Sequence, residues 1–271
     1  MRGLFTAGVN DVLMENGIEF DGAIGVSAGA AFGCNYKSKQ IGRVIRYNTR
    51  FCSDKRYSGL YALITDGNIY STKFCYGDVP LKYDKFDFET YKSNPMEFHV
   101  VCTDIVSGNP VYHKYEGMED HGFDWIRASA SMPVVSKIVQ IDDMKLLDGG
   151  IADSIPVKYF ESIGYDRNVV VLTQPESYVK KKNSMIPLMK IMYRKYPNLV
   201  KVMENRHNMY NDTIEYIKQK EKRGELLVIR PETDLPVGKI EKNPENLKKA
   251  YDIGRKEAEK RLSEIIEFLK W

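Results

Sequence analysis

Apolar residues recur along this chain first with the period of a helix and then in short continuous runs, a pattern typical of an α/β fold. The first periodic segment is followed by Asn16-Gly17, which is a helix stop signal. A short apolar run then ends at Gly25, and small residues fill 26–33. We therefore predict a helix, a strand, a sharp turn and a second helix at the start of the chain. The apolar face of the first helix carries Phe5, Val9, Val12 and Leu13.

Further apolar runs continue the α/β rhythm to the end of the sequence. They predict strands at 98–103, 111–113, 139–141, 144–147, 168–172 and 226–229. Periodic segments predict helices at 41–48, 125–130, 154–164 and 247–269. We expect a single domain over 1–271, whose C-terminal part, 176–271, is mainly helical and adds one further strand.

Periodicity fades between residues 51 and 95, where aromatic residues accumulate. Long segments of this kind are often lids or binding loops, so we predict a cap over a binding site, suited to a substrate with an apolar end. The alternative is that the aromatic rings are ordinary core residues.

The sequence Gly25-Val26-Ser27-Ala28-Gly29 at the first strand-to-helix turn has the Gly-x-Ser-x-Gly pattern of a nucleophile elbow. In such a turn the serine hydroxyl points out of the sheet, and the next amide lies at a helix N-terminus, which favours negative charge. Ser27 would then attack a substrate and the Ala28 N–H would stabilise the oxyanion. The alternative is a small-residue turn of a nucleotide-binding fold, but neither a Walker loop nor Gly-x-Gly-x-x-Gly is present.

A second candidate, Asp148-Gly149-Gly150, follows the predicted hairpin at 139–147. Functional groups of α/β folds often lie at strand ends, and glycines allow a close approach by neighbouring backbone. An aspartate followed by two glycines is more often a simple turn. Together with Ser27, however, Asp148 becomes a candidate general base.

Composition and charge exclude several classes of protein. The net charge of +3 and mean hydropathy of −0.41 describe an ordinary globular chain, and nothing indicates nucleic-acid binding. No apolar run approaches the roughly 18 residues that span a bilayer, and no secretory signal is visible, so we expect a cytosolic protein. The cysteines lack metal-ligand or disulfide spacing, and we predict chemistry without metal or cofactor. They are Cys34, Cys52, Cys75 and Cys102.

Basic residues cluster locally at 37–56 and 180–201. Such clusters are either solvated helix faces or contacts with an anionic membrane surface. We therefore expect a lipid or acyl-ester partner, with peripheral membrane contact through these clusters. The sequence makes no prediction of oligomeric state.

These motifs, taken together, resemble the patatin-like phospholipase family, particularly its compact stand-alone bacterial members. The resemblance implies a three-layer α/β/α sandwich with a mostly parallel central sheet and a Ser–Asp dyad, in which Ser27 is the nucleophile and Asp148 the base. It further implies cleavage of fatty-acyl esters of phospholipids or lysophospholipids through an acyl-enzyme. The matching segments are Arg2-Gly3 with Ala7-Gly8, Gly25 to Ala30, Thr103-Asp104, Ile126 to Pro133, Asp148-Gly149-Gly150 and Ile155-Pro156.

The N-terminus departs from the family pattern. There, a strand and a glycine run precede the Arg-Gly pair and supply most of the oxyanion hole, whereas here they would lie before Met1. We therefore expect the first strand to be missing, Met1 to be an internal methionine and this form to be impaired. A non-catalytic lipid-binding or regulatory protein on the same scaffold is the alternative. The family's oxyanion and motif positions fall on Arg2, Gly3, Gly25, Ala28, Gly29, Gly149 and Gly150.

Overall fold

The computed structural model describes residues 1–238 and 240–270, so Lys239 and Trp271, which the predicted domain includes, lie outside the described residues. The α-helices are α1 Gly3–Glu15, α2 Ala28–Lys37, α3 Arg43–Phe51, α4 Leu60–Asp66, α5 Phe88–Ser93, α6 Asp124–Ser129, α7 Val157–Ser162, α8 Ile186–Met192, α9 Pro197–Lys222 and α10 Pro244–Leu269. A π-helix spans Phe74–Tyr83 and a 3-10 helix spans Gly149–Ile151. The strands are β1 Gly22–Val26, β2 Glu97–Asp104, β3 Pro110–Lys114, β4 Val139–Ile141, β5 Met144–Asp148, β6 Asn168–Val171 and β7 Leu226–Ile229.

The larger sheet has five strands and is mixed, which corrects the prediction of a mostly parallel sheet. Its order is β1-β2-β5-β4, with β3 also pairing β2. Only the β1–β2 pair is parallel in the described sheet, while β2–β3, β2–β5 and β4–β5 are antiparallel. The reason is local: β2–β3 and β4–β5 are joined by short turns, which permit only antiparallel pairing. Strands β6 and β7 form a separate parallel sheet.

Helices cover both faces of the larger sheet, as the three-layer prediction requires. Side chains alternate along β2, so Phe98 packs against Gly33 of α2 and the Cys102 thiol donates to the Trp125 carbonyl at 3.6 Å. On the opposite face, the His99 ring lies 5.7 Å from the ring of Phe160 in α7. The α/β architecture is therefore confirmed.

The first and last helices pack closely against each other. A Cβ at Gly8 would lie 2.1 Å from the Tyr251 carbonyl oxygen, and one at Gly254 would lie 2.0 Å from that of Phe5. Buried Asp11 of α1 also accepts a hydrogen bond from the Tyr251 hydroxyl at 2.6 Å. The C-terminal helix thus completes the core that surrounds α1.

The segment at 51–95 contains α4, the π-helix and α5, so it is more regular than its sequence suggests. Many of its rings form one aromatic cluster; the Phe51 and Phe74 centroids, for example, lie 5.3 Å apart. Among the described residues, no helix combines the length and apolarity needed to cross a bilayer.

Candidate active site

Ser27 lies between β1 and α2 in a backbone conformation that is rare for a side-chain-bearing residue. Its φ is 56° and its ψ is −117°. Such conformations cost on the order of 1–3 kcal/mol and occur mainly at functional sites. The turn places Ser27, which is half-buried, in the lining of a pocket.

Glycine is required around this turn because other backbone approaches it closely. A Cβ at Gly25 would lie 2.5 Å from the Gly29 carbonyl oxygen, and a Cβ at Gly3 would lie 2.7 Å from the Ala28 Cβ. Gly29 itself faces open space, with nothing within 4 Å of an added Cβ. Close packing therefore explains why Gly25 and Gly3 are glycines, but it does not explain the glycine at position 29.

Asp148 is the last residue of β5 and is only 5 % exposed. Strand register brings it near the elbow: Val26 pairs with Val101 on one side of β2, and Asp148 pairs with Cys102 on the other. Because β5 is antiparallel to β2, Asp148 reaches the level at which β1 ends.

The Ser27 hydroxyl faces the Asp148 carboxylate closely enough to favour its charged form, so the two predicted catalytic residues are neighbours. The carboxylate oxygen Oδ1 also accepts the Gly150 N–H at 2.8 Å. Burial raises the pKa of Asp148 above its ordinary value, and this rise is opposed by the nearby Ser27 hydroxyl, the Arg206 guanidinium and the Gly150 N–H. Asp148 is therefore a stronger base than an exposed aspartate.

The end of α6 holds both residues, a role that the sequence did not reveal. The Ser27 N–H donates to the Ser129 Oγ at 2.9 Å, and the Asp148 N–H donates to the Ser131 carbonyl at 2.8 Å. On the far side, the Thr103 hydroxyl donates to the Asp148 carbonyl at 2.9 Å. These residues belong to matching family segments, which was the available signal, but their partners could not be read from spacing.

The glycines after Asp148 fit closely against neighbouring elements. A Cβ at Gly149 would lie 2.1 Å from the Val101 carbonyl oxygen. A Cβ at Gly150 would lie 3.0 Å from Asp148 Oδ1 and 3.1 Å from Arg206 Nη2. The Gly150 carbonyl accepts hydrogen bonds from Arg206 Nε and, at 2.6 Å, from the Ser154 hydroxyl. Arg206 belongs to α9, and no local motif in the sequence indicated it.

A largely apolar cavity of about 180 Å³ opens beside Ser27. Its walls come from helix α2, the 57–86 segment and the end of α6. The buried side chain of Arg43 also lines the cavity, and its guanidinium binds Asn35 and Asp84. The lining comprises Met1, Ser27, Ala28, Ala31, Phe32, Cys34, Arg43, Tyr47, Asn48, Tyr57, Tyr70, Cys75, Tyr76, Val79, Pro80, Phe86, Phe123, Ile126, Ala130 and Met132.

The remaining predicted residues have simple positions. Ala28 begins α2, where the first amides of a helix have no intrahelical partner. Arg2 is exposed immediately before α1. His113 bonds Asp120 at 2.5 Å and stacks on Trp125, so its ring has partners other than Ser27. In the described part of the chain, no group of three His, Cys, Asp or Glu residues is placed to hold a metal ion.

A family model described as patatin-like phospholipase matches residues 1–161, which is more than half of the chain. The chain therefore belongs to the patatin-like phospholipase family, in agreement with the elbow and the Asp148 loop. A second model, a domain of unknown function (DUF6363), matches residues 196–270.

Two curated relatives are similar to this chain. An uncharacterized protein, YjjU of Escherichia coli, is 30% identical over 186 residues, which are 64% of this chain and 49% of that protein. A lysophospholipase, nte1 of Aspergillus oryzae, is 26% identical over 172 residues, or 61% of this chain and 10% of that protein. The chain thus matches half or less of either relative.

Proposed function

We propose that this protein is a serine hydrolase that cleaves fatty-acyl esters of phospholipids or lysophospholipids through a Ser27–Asp148 dyad. The approach of the Ser27 hydroxyl to the buried Asp148 carboxylate, set by the register of β1, β2 and β5, carries the proposal. The strained turn at Ser27 and the apolar cavity beside it support the same function.

In this mechanism Asp148 accepts the Ser27 proton while Ser27 Oγ attacks the ester carbonyl carbon. The carbonyl electrons move to oxygen, giving an oxyanion that the Ala28 N–H and the positive end of α2 stabilise. When the intermediate collapses, the bond to the leaving alcohol breaks and that oxygen takes the proton from Asp148. Water then attacks the acyl-Ser27 ester, Asp148 removes its proton, and the fatty acid is released while Ser27 is reprotonated.

The cavity is proposed to hold the acyl chain. Its wall is mainly apolar, and a cavity of about 150 Å³ elsewhere holds a benzene-sized group, so the 180 Å³ here suits roughly six or more carbons. Several cavity residues, including Tyr57, Tyr76 and Phe86, come from the 51–95 segment. We propose that this segment forms a cap over the acyl chain within one domain that spans the whole sequence.

We place the protein in the cytosol, in peripheral contact with membrane, and propose that its chemistry needs no metal. The four cysteines are free, as expected in a reducing compartment. A chelator should leave hydrolysis unchanged, and loss of hydrolysis on chelation would contradict this part of the proposal.

Fluorophosphonate labelling and an acyl-ester panel test the function together. The native chain should be labelled at Ser27 and should hydrolyse the esters, whereas Ser27→Ala should do neither. A native chain that is neither labelled nor active would instead support the lipid-binding or regulatory alternative.

A further inference from the structure

The structure distinguishes the two basic clusters of the sequence, because ion pairs hold more of the first cluster than of the second. In the 37–56 cluster, Arg43 and Arg46 both pair with Asp84, which is distant in sequence. Lys39 pairs with Glu19 and Arg56 with Asp54. Four of the seven cations of this first cluster are therefore held in ion pairs within the molecule.

The second cluster flanks α8 and keeps most of its charge. Across the described residues, Lys181, Lys182, Arg194 and Lys195 are exposed and make no ion pair, whereas Lys190 pairs with Glu204. The sequence from 177 to 203 contains no acidic residue. This surface is strongly positive.

Helix α8 is apolar on both of its sides. Ile186, Met189 and Tyr193 are buried in a cluster with residues of β5 and α9. The opposite side exposes Leu188, Met192 and Ile191, the last of which is 70% exposed. A helix that is apolar all round normally has a partner on each side, and here the outer side has none in the described structure.

A second exposed apolar side belongs to α4. Leu60 is 70% exposed and Ile64, one turn later, is 75% exposed, with Tyr61 beside them. Tyrosine with an apolar ring and a polar tip is typical of membrane interfaces. The ammonium group of Lys55 lies 4.9 Å from the centre of the Tyr61 ring, adding positive charge here.

Residues 134–138 connect the end of α4 to the end of α8. The Val134 N–H donates to the Tyr193 hydroxyl at 3.0 Å, at the end of α8, while the Val135 carbonyl accepts the Ile69 N–H at 2.8 Å, just after α4. The neighbouring residues Met132 and Tyr70 line the cavity beside Ser27. The segment that connects the two helices is therefore adjacent to residues of the proposed acyl site.

We propose that the exposed sides of α4 and α8 together form a surface that seats the protein on a bilayer containing anionic phospholipid, a step that rests on the proposed function. We name it the α4–α8 face, and it consists of Leu60, Tyr61, Ile64, Leu188, Ile191 and Met192. Its aliphatic side chains enter the interfacial layer, and the flanking cations bind the lipid phosphates. Each cation near such a membrane strengthens binding about fivefold, so the charge and the apolar side chains favour the same partner.

Vesicle sedimentation of the Ser27→Ala protein tests the face without requiring catalysis. Binding should be strong to phosphatidylcholine vesicles containing phosphatidylglycerol, weaker to pure phosphatidylcholine, and reduced by salt. The double variant Ile64→Asp with Ile191→Asp should bind at least about tenfold more weakly, since it places charge in the apolar layer. Lys182→Gln should bind the anionic vesicles about fivefold more weakly and should bind pure phosphatidylcholine like the parent.

The control is Ile163→Asp, which changes an exposed isoleucine at the end of α7. Ile163→Asp should bind vesicles as strongly as the Ser27→Ala parent. Its midpoint of thermal unfolding should match that of the double variant, which shows that both variants fold. Equal vesicle binding by parent and double variant would overturn the proposal. If the parent is dimeric by light scattering and the double variant is monomeric but binds vesicles as before, the face is instead an interface between two copies. Failed hydrolysis with intact vesicle binding would refute the proposed function and not the face.

A different observation supports a second proposal, at the Asp148 loop. Arg206 lies in the region matched by the domain of unknown function, outside the patatin-like match. Its Nε donates to the Gly150 carbonyl, and its Nη2 lies 3.1 Å from where a Gly150 Cβ would stand. We infer that Arg206 is a positioning residue that holds the Asp148-Gly149-Gly150 loop against Ser27.

Arg206 also acts on the charge of Asp148. The groups facing that carboxylate are the Ser27 hydroxyl, the Arg206 guanidinium and the buried Cys102 thiol of β2, whose own pKa burial raises. Of these, Arg206 is the cation that opposes the rise in the Asp148 pKa. Its removal should therefore raise that pKa further.

Two measurements test Arg206, and one needs no activity. In Arg206→Ala the acid limb of kcat/KM should move to higher pH by roughly one unit or more, Arg206→Lys should restore part of the shift, and Lys201→Ala on the same helix should not move it. In a thermal-unfolding cycle at neutral pH, Arg206→Ala should cost more stability in the native background than in the Asp148→Asn background. Equal costs in both backgrounds, or an unmoved acid limb in an active Arg206→Ala enzyme, would overturn the inference.

Discussion

At the scale of residues, a few hydrogen bonds determine whether Ser27 can react. Ser129 holds the backbone of the elbow, Ser131 holds that of Asp148, and Asp148 contacts the Ser27 hydroxyl. The proposed nucleophile and its proposed base are thus both held by residues at the end of α6. Small changes at these positions should affect hydrolysis more than their size suggests.

Replacing Asp148 with asparagine should separate activity from stability. The variant should lose about 10²–10⁴-fold in kcat/KM, the usual contribution of a general base. Since burial raises the pKa of Asp148, hydrolysis by the native chain should fall as pH drops through that raised value. A native acid limb at the ordinary aspartate pKa of about 3.9, or an active variant, would contradict this assignment.

The raised pKa of Asp148 has the opposite consequence for the stability of the fold: it lowers stability at neutral pH. A carboxyl whose folded pKa is raised contributes stability below its unfolded pKa and loses that contribution as pH rises through the folded value. At pH 7, Asp148→Asn should therefore unfold at the same temperature as the native chain or at a higher one. The native chain should regain stability relative to the variant when the pH is lowered, and calorimetry across pH would detect this.

Ser129→Ala should leave the buried N–H of Ser27 without its acceptor. An unsatisfied buried donor costs about 1–3 kcal/mol, so we expect lower thermal stability and a lower kcat. Ser131→Ala is the matched control because Ser131 holds Asp148 through its carbonyl, which alanine retains. Equal kcat values for the two variants would show that the Ser129 hydroxyl does not support the elbow.

At the scale of elements, the π-helix at Phe74–Tyr83 provides one wall of the cavity and α10 provides the partner of α1. The π-helix should affect which ester fits the proposed acyl site, and α10 should affect whether the core is closed. These elements therefore predict different effects of substitution.

Val79→Phe should shorten the acyl site, since Val79 lies in the π-helix and lines the cavity. The ratio of kcat/KM for octanoyl over acetyl p-nitrophenyl ester should fall by about tenfold or more, because the added ring takes apolar volume from the longer chain. Val106→Phe, at an exposed turn, is the control. An unchanged ratio in Val79→Phe would exclude this cavity as the acyl site.

Gly254→Ala should force α10 away from α1, because the new methyl group would meet the Phe5 carbonyl. Overpacking typically costs 1–3 kcal/mol, which lowers Tm by roughly 2–12 °C in a chain of this size. Gly77→Ala, with nothing within 4 Å of the added methyl group, should cause no such loss. Similar Tm values for the two variants would contradict the close packing.

At the scale of the whole molecule, the region beyond the patatin-like match is part of the fold. Helix α10 covers α1, and α9 reaches the Asp148 loop through Arg206. The two matched regions therefore share a core and a candidate active site.

A fragment of residues 1–161 should consequently fail to fold cooperatively. It would expose the apolar side of α1 that α10 covers, and it would lack Arg206. Circular dichroism during urea unfolding should show no sharp transition, and co-expression with 162–271 should restore ester hydrolysis. A stable, active fragment would show that the C-terminal region is dispensable.

The sequence alone predicted most of the elements and both catalytic candidates, because these depend on local patterns. The period of apolar residues identifies helices and strands, and the glycines around Ser27 report steric needs within a few residues. It could not assign Ser129 or Arg206, since their partners lie far away along the chain. For the same reason it could not show which cations of the 37–56 cluster are paired, since their partners include Asp84 and Glu19.

Local sequence by itself therefore determined the elbow, the Asp148 loop and the α/β class, which depend on steric and hydrophobic rules acting over short distances. Tertiary structure decided that the sheet is mixed, that antiparallel β5 returns Asp148 to the end of β1, and which charges stay free. It decided these because strand register, burial and ion pairing join residues that are distant in the chain, and their energies depend on the assembled core.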